Sequence, residues 1–197
     1  MFKAAAIFSD NMVLQREKNI SVWGEADDGA VVTAEINGAK AKCVSKSGKW
    51  SLILPPMPAG GPYELHLECS EAIKENEKVV SVKQTHTFHN VMIGEVWLCG
   101  GQSNMELELQ NAKDGKEELA KLNKDMPIRF YYTNKAGTVK QAEEAEKTAC
   151  WGECDPEGSK AWSAVGYYFA KKLSAELGVT VGLIGCNWGG TSASAWV

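Results

Sequence analysis

The 197-residue sequence has no apolar run approaching the roughly 20 residues a helix needs to cross a bilayer, so no membrane span is expected. It also lacks any lysine–arginine cluster: 21 basic residues stand against 25 acidic ones, for a formal net charge of −4. Without a basic face there is nothing for a polyanionic backbone to bind. Nucleic acid is therefore excluded as a partner, and a small neutral or acidic substrate fits better. Neither a Gly-Lys-Ser/Thr phosphate loop nor a Gly-x-Ser-x-Gly elbow occurs. There are no internal repeats and no low-complexity tract. Residues 1–8 are too few and too lightly charged for a secretory leader, and Ser9-Asp10-Asn11 interrupts them, so a cytoplasmic location is expected. Histidine is scarce, with only His66, His86 and His89.

Six cysteines (Cys43, Cys69, Cys99, Cys150, Cys154, Cys186) are irregularly spaced in a chain large enough to fold without staples. Reduced, mostly structural thiols are the expectation. The spacing of Cys150 and Cys154 could suit zinc, but no second Cys/His pair lies nearby to close a tetrahedral site. No metal is expected.

What is present divides in two, with a boundary in residues 90–94, giving domains 1–92 and 93–197. The first reads as an all-β sandwich, because short alternating apolar stretches recur between turn signals. Val32, Ala34 and Ile36 lead into Asn37-Gly38, a hairpin signal. Tyr63, Leu65 and Leu67 alternate along another strand, as do Val80, Val82 and Phe88. Trp23 and Trp50 are expected in the core.

After residue 92 the pattern becomes strand, helix, strand, helix, strand, which implies a parallel α/β sheet. The strands are expected at 95–99, 128–132 and 179–185. Asp114-Gly115-Lys116-Glu117 resembles a capping box opening a helix with Leu119 and Leu122. Trp162, Val165, Phe169, Leu173 and Leu177 fall at helical spacing, and Gly178 supplies the stop.

The chemistry concentrates in Gly100-Gly101-Gln102-Ser103-Asn104-Met105, which directly follows the first of these strands. Ligands in open α/β sheets bind at carboxyl ends of strands. A serine flanked by glycines there can expose its hydroxyl on a sharp turn, with its own N–H free to receive negative charge. From the residues alone, a serine that merely caps a helix starting at Asn104 is an equal reading. Asn187-Trp188-Gly189-Gly190-Thr191-Ser192 follows another strand of the same sheet, and a Gly189 or Gly190 N–H could be a second oxyanion donor. Gln102, Asn104 and Asn187 flank these turns as candidate substrate contacts.

Residues 7–16 with Val22-Trp23-Gly24, residues 94–106, residues 162–169, and residues 181–184 through 188–191 together resemble the sialate O-acetylesterase family, in order along the whole chain. The resemblance implies a β-sandwich followed by an α/β/α SGNH-hydrolase domain of flavodoxin-like type. It also implies cofactor-free hydrolysis of acetyl esters on sialic acid or a related sugar. The nucleophile falls on Ser103, and the second-block glycine on the Gly189-Gly190 pair, with Gly190 preferred. Ser194 stands where the family has an acidic residue. The family's Asp-x-x-His pair has no counterpart in this sequence.

No local histidine is a good substitute. His66 faces away from Leu65 and Leu67, His86 shares the parity of Phe88 and is expected at the core edge, and only His89 lies in the run towards the site. The chain is therefore expected to be a fragment with an incomplete α/β/α domain. Either a second chain completes that domain or an exposed sheet edge drives self-association. The remaining alternatives are an acetylxylan esterase for the complete enzyme and a non-catalytic sugar-binding module with tryptophan platforms.

Overall fold

The computed structural model describes residues 1–75, 78–192 and 194. The strands of the first half are β1 (Phe2–Ala4), β2 (Val13–Gln15), β3 (Ile20–Ala26), β4 (Val31–Ile36), β5 (Ala39–Val44), β6 (Lys49–Leu54), β7 (Gly60–Glu75) and β8 (Lys78–Gly101). Burial alternates along β3, β4 and β6, as strands with one wet face require. Asn37 and Gly38, with φ of 45° and 81°, make the tight turn between β4 and β5. A three-stranded antiparallel sheet, β1-β3-β6, faces the antiparallel run β5-β4-β7-β8, and Val22, Leu54, Val32, Ile36, Leu65 and Phe88 fill the core with Trp50.

Three expectations fail in this half. Trp23 is not in the core: it is 43% exposed and packs edge-on against Phe8 at 4.7 Å. Val80 and Val82 are exposed although Phe88 of the same parity is buried, because β4 pairs with β7 only as far as Ser70, opposite Lys83, and the hairpin continues beyond that cover. His86 likewise lies on the surface, its ring 4.4 Å from that of Phe88.

The second half contains α1 (Ser103–Glu106), a 3₁₀ turn at Leu109–Asn111, α2 (Gly115–Leu119), β9 (Ile128–Tyr132), α3 (Val139–Glu146), β10 (Trp151–Glu153), α4 (Ala164–Leu177) and β11 (Val181–Asn187). β9, β11 and β8 run parallel in that order, and β10 adds to the outer edge antiparallel, an edge strand that the sequence pattern did not signal. The result is a sheet-rich mixed fold with few helices. Residues 90–94 are strand: β8 leaves β7 at Ile93, meets β2 at Met92–Gly94 and pairs with β11 from Glu95 to Gly101. No helix among the described residues is long and apolar enough to cross a membrane.

Asp114 precedes α2, but its side chain makes no capping bond, and Leu122 lies beyond the helix, buried in the following turn. α4 is capped by Ser163, whose Oγ accepts from Gly166 N at 3.2 Å, and stops at Gly178 with φ 65°. The face of α4 turned to the sheet is only partly the expected stripe: Trp162, just before the helix, is buried and Leu173 packs against the second core. Ala164, Tyr167, Ala170 and Ser174 are buried, whereas Val165, Phe169 and Leu177 are 41–46% exposed. Ala164, Gly166 and Ala170 let the helix lie close to the sheet beside the buried Tyr167: a Cβ on Gly166 would sit 3.3 Å from both Cys99 Sγ and Leu183 Cδ1.

Glu118 at the end of α2 ties that helix to α4. Its Oε2 accepts from Tyr167 at 3.1 Å and from Lys171, and its Oε1 from Lys121 at 3.0 Å. Lys171 first, then Lys121, hold its carboxyl down at about 2. A carboxylate whose pKa is depressed by folding stabilises the fold above its unfolded value, near 4.5, and loses that contribution as pH falls towards 2. Glu118→Gln is therefore expected to lower stability at pH 7 by about 2 kcal/mol. Urea unfolding followed from pH 7 downwards should show the parent and variant curves converging as pH approaches 2.

Candidate active site

β8 ends at Gly101, whose φ of 146° turns the chain from strand into α1. A side chain there would also crowd Met105, with Cβ atoms 3.3 Å apart. Gln102 occupies the N-cap and makes no side-chain capping bond; Ser103 is the first helical residue, so its hydroxyl is not the cap. Ser103 is exposed and its Oγ donates to Gln102 Oε1 at 3.2 Å. Being at the first helical position, its N–H has no acceptor within the helix. Asn104 is exposed beside it.

The second turn is alongside. Parallel pairing sets Asn187 opposite Gly101, and Trp188 N donates to Gly101 O at 3.0 Å. Asn187 is buried and its Oδ1 accepts from Tyr132 OH at 3.1 Å, which fixes its side chain within the wall. Burial raises the Tyr132 phenol, keeping it a donor. Gly189 N donates to Glu106 Oε2, while Lys135 Nζ pairs with Glu106 Oε1. Gly190, with φ 77°, has an N–H that no acceptor among the described residues engages. Beyond it Thr191 Oγ1 donates to Trp188 O at 2.7 Å. Ser194, which stands where an acidic residue is expected, exchanges a hydrogen bond with Ser192; residues 193 and 195–197 lie outside the described residues.

Beside the two turns is a cleft of about 380 Å³ reached by Met105, Glu106, Lys135 and Asn187. Its apolar wall is a stack of rings, with Phe130 5.2 Å from Trp162 and 6.4 Å from Tyr132. Two larger hollows lie elsewhere: one on the outer face of β4, β5 and β7, the other between the N-terminal segment and α3. Ser103 and Gly190 line none of the three; the 380 Å³ cleft comes nearest to them in the chain, through Met105, Glu106 and Asn187.

The histidines sit on the far part of the antiparallel sheet. His66 Nδ1 meets Thr87 Oγ1 at 3.0 Å, and His89 Nδ1 meets Glu64 at 2.9 Å. From His89 to Gly101 the chain is strand throughout, about 40 Å of it. No described histidine reaches the serine. Cys99 is buried in the second core, and burial raises its thiol.

Three residues at this site escaped the sequence reading. Glu106 stands three positions after Ser103, a spacing that places both on one side of a helix, and could have been found that way. Tyr132 ends a parallel strand, another legible position. Lys135, in the loop after β9, carried no signal.

Residues 93–197 match the family described as carbohydrate esterase, sialic acid-specific acetylesterase. The sialate O-acetylesterases of Pongo abelii and Homo sapiens are each 28% identical to this chain over 209 residues, covering 99% of it and 38% of their own length. The solved structure of a carbohydrate acetylesterase from Xanthomonas citri superposes with a TM-score of 0.83 at 31% identity, over 99% of this chain and 42% of that one. The chain thus spans well under half the length of these relatives.

A serine without a base is a poor nucleophile. Incubated with a fluorophosphonate, the 197-residue chain should keep its intact mass. A stoichiometric mass increase at Ser103 would show that a base is present within these residues.

Proposed function

The chain belongs to the sialic acid-specific acetylesterase family of carbohydrate esterases, and we propose that it carries the nucleophile half of an O-acetylesterase acting on sialic acid or a related acetylated sugar. The observation that carries this reading is the juxtaposition of two turns: an exposed Ser103 hydroxyl at the end of β8, and Gly190 on the turn that follows the neighbouring parallel strand.

In the proposed mechanism Ser103 Oγ attacks the acetyl carbonyl carbon while its proton passes to a histidine outside these 197 residues. The carbonyl oxygen, now negative, is received by the N–H groups of Ser103 and Gly190. Gly189, the other donor considered, already gives its N–H to Glu106. The sugar oxygen leaves with the proton from the imidazolium, and an acetyl-serine remains. Water, deprotonated by the same histidine, then attacks the acetyl-serine; acetate departs and the serine recovers its proton. Gln102, hydrogen-bonded to Ser103, and Asn104 line the approach for substrate. No cofactor is needed.

We also propose the finer architecture: a β-sandwich over residues 1–92, and over 93–197 the first part of an α/β/α SGNH-type domain whose sheet further residues or a second chain complete. Two separate apolar cores support the division, although Tyr131 and Trp151 of the second part pack into the first core. The open side of β8 supports the completion. From residue 95 to 101, β11 pairs with one edge and no strand among the described residues pairs with the other. Trp97 and Leu98 there are 44% and 68% exposed, and Phe169 of α4 packs on Trp97 at 5.1 Å. Unpaired backbone beside uncovered apolar side chains is a docking edge.

Ser103→Ala in the complete enzyme should lower kcat on 4-nitrophenyl acetate by at least about 10³-fold; turnover at the parent rate would end this reading. Assay of the same enzyme on O-acetylated sialic acid and on acetylated xylan would assign the sugar.

A further inference from the structure

We propose that Glu106 is a positioning residue that fixes the gap between the nucleophile turn and the oxyanion turn, with Lys135 as its charge partner. The inference rests on the esterase reading above and extends it to two residues outside the nucleophile and its donors. Glu106 belongs to the same helix as Ser103, yet its carboxylate reaches across to the turn after β11 and accepts the N–H of Gly189. No other side chain hydrogen-bonds from α1 to that turn among the described residues. The approach is close enough that a Cβ on Gly189 would overlap the carboxylate, so a side chain at 189 would displace Glu106 from its present position.

The tie has a chemical consequence for the next residue. With its N–H committed to Glu106, Gly189 is held in one orientation, and the peptide that follows presents the unengaged N–H of Gly190. A donor helps a developing oxyanion only when it is already in place. A carboxylate so near that oxyanion would by itself oppose the charge that forms there. Lys135, only 34% exposed and paired to the other carboxylate oxygen, neutralises it. The lysine comes from the loop after β9, so three strand ends converge on one ion pair: β8 through α1, β11 through Gly189, and β9 through Lys135.

The test has two independent parts. In the ¹⁵N-glycine-labelled 197-residue chain, the Gly189 amide proton, now bonded to a carboxylate, should move upfield in Glu106→Ala and in Lys135→Met shift less. In the complete enzyme, Glu106→Ala should lower kcat on 4-nitrophenyl acetate by about 10²-fold with KM little changed, the loss expected when one oxyanion donor is misplaced. Glu106→Gln, which keeps an acceptor for Gly189, should recover most of the lost kcat. An unmoved Gly189 amide, or a Glu106→Ala enzyme that unfolds more easily but keeps its kcat per active site, overturns the proposal. Should Glu106→Ala fail to fold, Glu106→Gln with a Gly189 amide unlike the parent's and kcat reduced as far as by Gly189→Ala also overturns it. A Ser103→Ala enzyme with full activity removes the esterase reading instead, and the amide shift then decides whether the tie exists.

Discussion

Backbone N–H and C=O groups must find partners wherever water is excluded, and strand β8 meets that demand for two sheets in succession. As far as Ile93 its partner is β7, antiparallel; from Glu95 its partner is β11, parallel; β2 covers the changeover at Met92–Gly94. Ser103 stands two residues past the end of this ladder. The glycine turn is registered to it through the pairing of Asn187 with Gly101. A polar hub reinforces the changeover. Arg129 is buried, with Nη1 2.8 Å from Glu153, and Nη2 donates to Asn90 Oδ1 at 3.3 Å. Asn90 Nδ2 in turn donates to Asn11 at 2.8 Å and to Glu153 at 3.0 Å. Burial pulls the guanidinium pKa down against the pull of Glu153. Removing one member of such a pair leaves the other charge buried and unmatched, which is why these four residues hold the N-terminal turn, β8, β9 and β10 together.

Much of this was readable from the chain wherever local chemistry decides the outcome. Residues 128–132 form a strand as their apolar, β-branched and aromatic content predicts, Asn37-Gly38 turns the β4–β5 hairpin, and Gly178 ends α4. The position of the two glycine-flanked turns followed from their being placed after strands. Whether they would be neighbours depended on strand order, and the strand order β9-β11-β8 is a property of the whole sheet. The Glu106–Lys135 pair was invisible for the same reason: it joins residues 29 positions apart, and nothing local to either announces the other.

The misreadings are also physical. The helical spacing of Trp162, Val165, Phe169, Leu173 and Leu177 identifies the helix, but of these only Trp162 and Leu173 pack into the second core, while Val165, Phe169 and Leu177 stay exposed. Periodicity finds an apolar face; it does not distinguish a face pressed on this sheet from one turned elsewhere. Here alanine and glycine allow close approach on the inner side beside the buried Tyr167, and Val165, Phe169 and Leu177 are left outward, Phe169 against Trp97. Trp23 failed differently. Its size argued for the core, but strand alternation puts it on the face opposite to Val22, which is fully buried.

Two folded parts joined by a flexible connector can swing about it; two sheets that share one strand have no such hinge. Rotating the parallel end of β8 against the antiparallel end would tear inter-strand bonds on one side or the other, so the serine keeps a fixed bearing on the antiparallel framework that ends at Ile93.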